Sequence, residues 1–188
     1  EITDAMFCAA CGAKAGADTL KAALQAACEM AEDAGADPNY LPHQTITTDQ
    51  AEISVPVGTR SLSQSVDFIS QHVSDPFCFG RIAALHALSD IFVAGHQPLS
   101  ALATVILQRN HEDLQANDLI QMLAGSIIEL SRHQTKLLGG HTSIAEYAGL
   151  GFAVTGIATK PQAQSEQDIA SGMIFDLLLT KPLGTGVI

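Results

Sequence analysis

The chain has no tryptophan and only 5% aromatic residues, so a platform for stacking nucleic-acid bases is excluded. Basic residues are scarce as well. Nine Lys and Arg stand against twenty Asp and Glu, for a formal net charge of -11. Such a surface repels nucleic-acid phosphates and anionic lipid, and no Lys/Arg stripe offsets it. An acidic chain can still hold a nucleotide if divalent cations bridge its carboxylates to phosphates. Cysteine is sparse: Cys8, Cys11, Cys28 and Cys78, with Cys8 and Cys11 as a lone C-x-x-C. A structural zinc site needs a second pair, and a disulfide framework is not expected in a cytosolic chain of this size. No apolar run reads as long enough to cross a bilayer. The opening EITDAMFCAACGAK lacks the basic and apolar regions of a signal peptide, so the expected compartment is the cytoplasm. What is abundant is apolar: 47% of 188 residues, enough for one domain with a substantial core.

Residues 1–17, small and glycine-bearing, read as a mobile arm. Asp18 is placed to N-cap a helix, TLKAALQAACEMAEDA, that Gly35 would stop. Ile53, Val55 and Val57 alternate with polar residues, and after Gly58 so do Leu62 and Val66, which predicts a β-hairpin ending at Asp67-Phe68. Asp75-Pro76 is a helix start, an N-cap followed by proline. That helix runs through FCFGRIAALHALSDI and stops near Gly95, and the strand ALATVIL follows Pro98. Leu119, Met122, Leu123, Ser126, Ile127 and Leu130 form the apolar stripe of another helix. A short strand KLL, a glycine loop GGHTS and a strand GLGFAVTGIAT come next. A polar connector spans 161–172, and IFDLLLTK is a last strand. The order β-β-α-β-α-β predicts an α+β fold with helices on one face of the sheet. The expected units are the arm 1–17, a domain 18–160, the connector, and 173–188 opening a second domain.

Several polar residues have two readings. Asp90 sits near a helix C-terminus, where the macrodipole disfavours an anion by a few tenths of a kcal/mol and a cation would offset it. Asp67 at a strand end could face a cleft or simply solubilise the edge. Asp75 is assigned to capping. Glycines at 139 and 140 could let backbone N–H groups approach phosphate, or only turn the chain. Cys11 and Lys14 form a C-x-x-K in which lysine would favour a thiolate and meet phosphate oxygens. His72, His86, His96, His111 and His133 lack zinc-type pairing and read as structural or surface residues; Phe77, Phe79, Ile82, Ile91 and Phe92 read as core.

Six segments together carry a resemblance: CGAK at 11–14, VDF at 66–68, DPFCFGRIAALHALSDIFVAG at 75–95, GGHTS at 139–143, GLGFAVTG at 149–156 and LLLTKPLGTGV at 177–187. In this order they resemble selenophosphate synthetase (selenide, water dikinase), of the PurM-like ATP-binding superfamily. The form CAACGAK most resembles a variant fused behind a flavin-dependent NADH dehydrogenase-like domain. The resemblance implies a PurM-like N-terminal ATP-binding domain, with a mixed, mostly antiparallel four-stranded sheet, paired through its sheet face as a homodimer. It implies formation of selenophosphate, AMP and phosphate from ATP, selenide and water, with Mg2+ as cofactor. Cys11 and Lys14 match the catalytic pair. Thr47, Thr48, Asp49, Asp67, Asp90, Gly140, His141 and Thr142 match nucleotide-contacting positions, with Lys14 also meeting phosphate. Asp90 matches a magnesium ligand, and a one-residue shift of register would make Asp49 a second. Two positions depart: Gln50 stands where a gapless match has a magnesium-binding aspartate, and Ile144 where an acid follows the glycine loop. The 188 residues would be the N-terminal half of such an enzyme, inactive alone. The alternatives are a catalytically impaired nucleotide-binding module, another PurM-like kinase or ligase, or a purely structural dimerisation domain.

Overall fold

A computed structural model describes residues 17–42, 53–59, 61–158 and 178–179. The expected arm with Cys11 and Lys14, the stretch Thr47, Thr48, Asp49 and Gln50, the connector and most of the final strand lie outside the described residues.

Among the described residues four strands and three α-helices are arranged as α1 (Ala17–Asp33), β1 (Ser61–Ser70), α2 (Pro76–Val93), β2 (Gln97–Gln108), α3 (Glu112–Arg132), β3 (Lys136–Ala145) and β4 (Gly149–Ala158). The sheet order is β1-β4-β2-β3. β4 is antiparallel to both β1 and β2, and β2 runs parallel to β3. The fold is therefore α+β, with a mixed, mostly antiparallel sheet. The helices α2 and α3 cover one face, and α1 packs on α3.

The helix signals act locally as chemistry dictates. Asp75 caps α2, its carboxylate accepting from the Cys78 N–H at 3.0 Å, and Pro76 stands at a position with no N–H to lose. α1 begins at Ala17, so Asp18 lies inside its first turn instead of capping it, favourably placed for the helix dipole. α2, at 18 residues, does have the length and composition to cross a membrane, contrary to the sequence expectation. Its Phe79, Ala83, Ala84, Ala87, Leu88 and Ile91 are spent on packing inside the fold. The α2–α3 crossing is close because Gly80 and Gly125 carry no side chain. A Cβ at Gly80 would collide with the Met122 carbonyl, and one at Gly125 with the Phe77 carbonyl. Ser126, fully buried at this crossing, donates its hydroxyl between the carbonyls of Met122 (2.7 Å) and Gly80 (3.1 Å). Glu129, 4% exposed, accepts from Arg81 at 2.6 Å and Arg132 at 2.9 Å.

Two strand expectations are corrected. Residues 53–59 form no strand, because the chain turns at Pro56, whose carbonyl accepts from the Thr59 N–H and hydroxyl. Proline inside a short alternating run cannot donate to a ladder, and Val55 and Val57 are left exposed. The GGHTS loop is instead the middle of β3, which continues from Lys136 to Ala145. Its glycine does serve close backbone approach, but to β2: a Cβ at Gly140 would strike the Ala103 carbonyl.

Alternation divides the sheet residues. Leu150, Phe152 and Val154 of β4 and Ala101, Ala103, Val105 and Leu107 of β2 face the helices and are buried. Among the described residues no helix lies on the other face, and there Leu62, Val66, Phe68 and Leu102 are exposed, Val66 at 76%.

Candidate functional site

β1 is an edge strand whose odd residues turn toward the helical layer, and α2 runs beside that edge. Ile69 packs on the core, but the inner-facing residues before it are the polar set Ser63, Ser65 and Asp67. Three cross-links result. Ser63 Oγ lies 2.8 Å from His96 Nδ1, just past the end of α2. Ser65 Oγ donates to Asp90 Oδ2 at 2.8 Å. Asp67 Oδ1 lies 3.8 Å from His86 Nε2. The spacing explains the ladder: inner-facing strand residues recur every second position, and His86 and Asp90 are one helical turn apart on α2. Asp67 and Asp90 thus occupy adjacent rungs of one seam, open to solvent at its outer side. Asp90 sits in the last turn of α2, which extends to Val93, two residues beyond the expected end.

Hard carboxylate oxygens suit magnesium, which is commonly held by one or two carboxylates with substrate phosphates and water filling the rest. Among the described residues, no group of three or more His, Cys, Asp or Glu is placed to enclose a metal. Asp90, exposed at the seam, is the kind of carboxylate that such an open site uses, with a nucleotide supplying further ligands.

Gly140, His141 and Thr142 lie elsewhere. Their strand β3 is the opposite edge of the sheet. Asp67 pairs with Phe152, Phe152 with Ala103 and Ala103 with Gly140, so Asp67 and Gly140 end one row across all four strands. Three strand spacings separate them, about 14 Å. His141 is exposed on the helix-free face, while Thr142 is buried on the helical side. One copy of the chain does not bring them to the carboxylate seam. Ile144, a departure from the pattern, has a packing role, since it lies against the core. Beyond the seam, a polar cleft of ≈ 420 Å³ opens at the far end of β1 between Ser70, His72, Ser74, Gln108, Glu146 and Tyr147. Neither Asp67 nor Asp90 lines it.

Ser65 and His86 were not singled out as functional from the sequence. The signal was present: Ser63, Ser65 and Asp67 occupy alternate positions where a buried-edge strand ought to carry apolar residues, and His86 precedes Asp90 by four.

Residues 48–159 match the family described as AIR synthase related protein, N-terminal domain. Selenide, water dikinase of Desulfitobacterium hafniense (strain DSM 10664 / DCB-2) is 35% identical over 178 residues, covering 95% of this chain and 49% of that protein. The Pelobacter propionicus protein of the same name is 32% identical over 187 residues, covering 100% of this chain and 51% of its own length. The chain spans about half the length of these relatives. Among solved structures, E. coli HypE, a hydrogenase maturation protein, superposes with a TM-score of 0.55 at 20% identity, covering 77% of this chain and 46% of that one. That likeness establishes the fold.

Proposed function

The chain belongs to the AIR synthase related protein, N-terminal domain family, and on that premise we propose that it is the ATP-binding half of a selenide, water dikinase. The observation that carries this reading is the seam between β1 and α2, in which Asp90 accepts from Ser65 and Asp67 lies beside His86. The names of the relatives supply the substrate.

In this reading Asp90, with Asp49, holds magnesium, while Asp67, Thr47 and Thr48 contact the nucleotide. Bound magnesium would draw charge from the phosphate oxygens and hold the leaving group in line. Lys14 would stabilise charge developing on the transferred phosphoryl group, and Cys11 would be a soft thiolate beside the attacking selenide, forming no bond to it. The overall reaction converts ATP, selenide and water to selenophosphate, AMP and phosphate. Phosphoryl transfer depends on such positioning and charge stabilisation more than on covalent chemistry by the protein.

Of the β3 set, His141, exposed on the face away from the described helices, would need a second copy to reach the seam. The helix-free sheet face, with Leu62, Val66, Phe68 and Leu102 exposed, supports a face-to-face homodimer that brings β3 of one copy toward the β1 edge of the other. The arm 1–17, the domain 18–160, the connector 161–172 and the start of a second domain at 173–188 would be parts of a longer cytoplasmic enzyme, of the kind fused to an oxidoreductase. A second reading, a nucleotide-binding module with impaired catalysis, is favoured by Gln50, since a neutral amide is a poorer magnesium ligand than a carboxylate.

Calorimetry with ATP at varied magnesium tests the proposal. Binding should depend on magnesium and weaken about 10–100-fold in Asp90→Asn, the loss expected for a contact between charged groups. Magnesium-independent binding, or an unchanged Asp90→Asn, would refute it. Conversion of ATP to AMP by the 188 residues alone would refute the claim that they are only half of the machinery. Magnesium-dependent binding with restoration by Gln50→Asp of activity missing from the intact enzyme would favour the impaired module.

A further inference from the structure

We propose that Ser65 is a positioning residue that fixes the carboxylate of Asp90 for magnesium, an inference that rests on the nucleotide-binding reading of the seam. Asp90 stands on the last turn of α2, where backbone carbonyls point toward the same end of the helix and repel an anion. Left to itself, its carboxylate would rotate into solvent. Ser65 Oγ, on the neighbouring strand, donates to Asp90 Oδ2 at 2.8 Å. That bond occupies one oxygen and leaves Oδ1 without a hydrogen-bond partner in the described seam, free to meet a cation.

The placement of Ser65 is itself fixed. It pairs in register with Val154 of β4, a core strand residue that is 1% exposed, so the hydroxyl is mounted on the rigid sheet rather than on a loop. The donor also helps to balance the carboxylate's charge before any cation arrives, as partners behind a metal ligand commonly do. Ser63 supplies an internal control. It sits two residues away on the same strand face and makes a bond of equal length, to His96, but touches neither carboxylate.

The test is the magnesium dependence of ATP binding by the 188-residue chain, measured by calorimetry for wild type, Ser65→Ala, Ser65→Thr, Ser63→Ala and Asp90→Asn, with thermal unfolding of each. Ser65→Ala should raise the magnesium midpoint about tenfold, at the low end of the range for such partners because the bond is solvent-exposed. Ser65→Thr keeps the hydroxyl and should restore the wild-type midpoint. Ser63→Ala should leave the midpoint unchanged even if it lowers Tm. A Ser65→Ala midpoint equal to wild type, with Asp90→Asn still impaired, overturns the positioning role and leaves the function standing. An unimpaired Asp90→Asn, or no magnesium-dependent binding by wild type, overturns both. A midpoint shift shared equally by Ser63→Ala would make the serines merely structural.

Discussion

Replacing Gly125 by alanine should loosen α2 from its seat and, through it, the carboxylate seam. The added methyl would overlap the Phe77 carbonyl oxygen and stand 3.0 Å from its carbon and 3.1 Å from the Arg81 nitrogen. These are backbone atoms of α2, so no side chain can swing aside. Relief needs the helices to part by about 1.5 Å to bring that oxygen to normal contact near 3.5 Å. Overpacking of this kind costs about 1–3 kcal/mol, and the upper end applies to a backbone obstacle. Alanine returns up to about 1 kcal/mol through its helix propensity. The net is a loss of about 2 kcal/mol, or roughly 4–8 °C in Tm for a chain of this size. Urea unfolding would measure it, with Gly35→Ala as comparison. Gly35 has φ +92° and open space around it, so alanine there costs only about 1–2 kcal/mol of backbone strain and leaves α2 in place. Magnesium-dependent ATP affinity should fall in Gly125→Ala and not in Gly35→Ala, because only the first displaces Asp90 and His86. A Gly125→Ala chain as stable as wild type, or equal affinity losses in both variants, would refute the packing analysis.

Other outcomes are equally open to measurement. Glu129→Ala should destabilise by about 2–3 kcal/mol in urea, since it leaves a hole and strips Arg81 and Arg132 of their shared acceptor; their own exposure limits the loss. Burial, aided by Glu29 and Glu32, pushes the Cys28 thiol up from 9.0 to about 11. The folded state therefore retains a proton that the unfolded state loses between those values, so stability should decline as pH rises through that window, and Cys28→Ala should flatten the decline. At pH 8 an aromatic disulfide reagent should label exposed Cys78 well before buried Cys28. Gln134 closes α3 with φ 54°, a conformation that glycine adopts without strain, so Gln134→Gly should raise stability by up to about 1 kcal/mol.

Local signals were legible in the sequence where one residue decides an outcome. Asp75-Pro76 marks the start of α2 because both residues act within one turn, and the stripe from Leu119 to Leu130 gives α3 because its period is set by burial on one side. The alternation of Ile53, Val55 and Val57 misled because Pro56 interrupts it and none of the described strands receives it. The GGHTS segment misled for the opposite reason: glycine is read as a turn former, yet Gly140 serves the close approach of β2, a partner some forty residues away. The same distance effect hid the seam. Ser65 looks like any polar strand residue until β4 fixes β1 and turns it toward Asp90. The carboxylates were legible one at a time, but their adjacency was not. Cys11, Lys14, Thr47, Thr48 and Asp49 rest on sequence pattern, since they lie outside the described residues.

The strand order has a consequence for how the molecule comes into being. Among the described residues β1 meets the sheet only through β4, the last of the four described strands to be made. A ribosome that has finished Ser70 must add about 80 more residues before Gly149 appears, some 4–16 s at ordinary translation speeds. Throughout that interval the segment bearing Asp67 lacks the described strand it pairs with, and its apolar side is available to chaperones or to neighbouring nascent chains. A stop codon or protease cut anywhere ahead of β4 would strand that segment permanently, however intact the rest of the polypeptide remained.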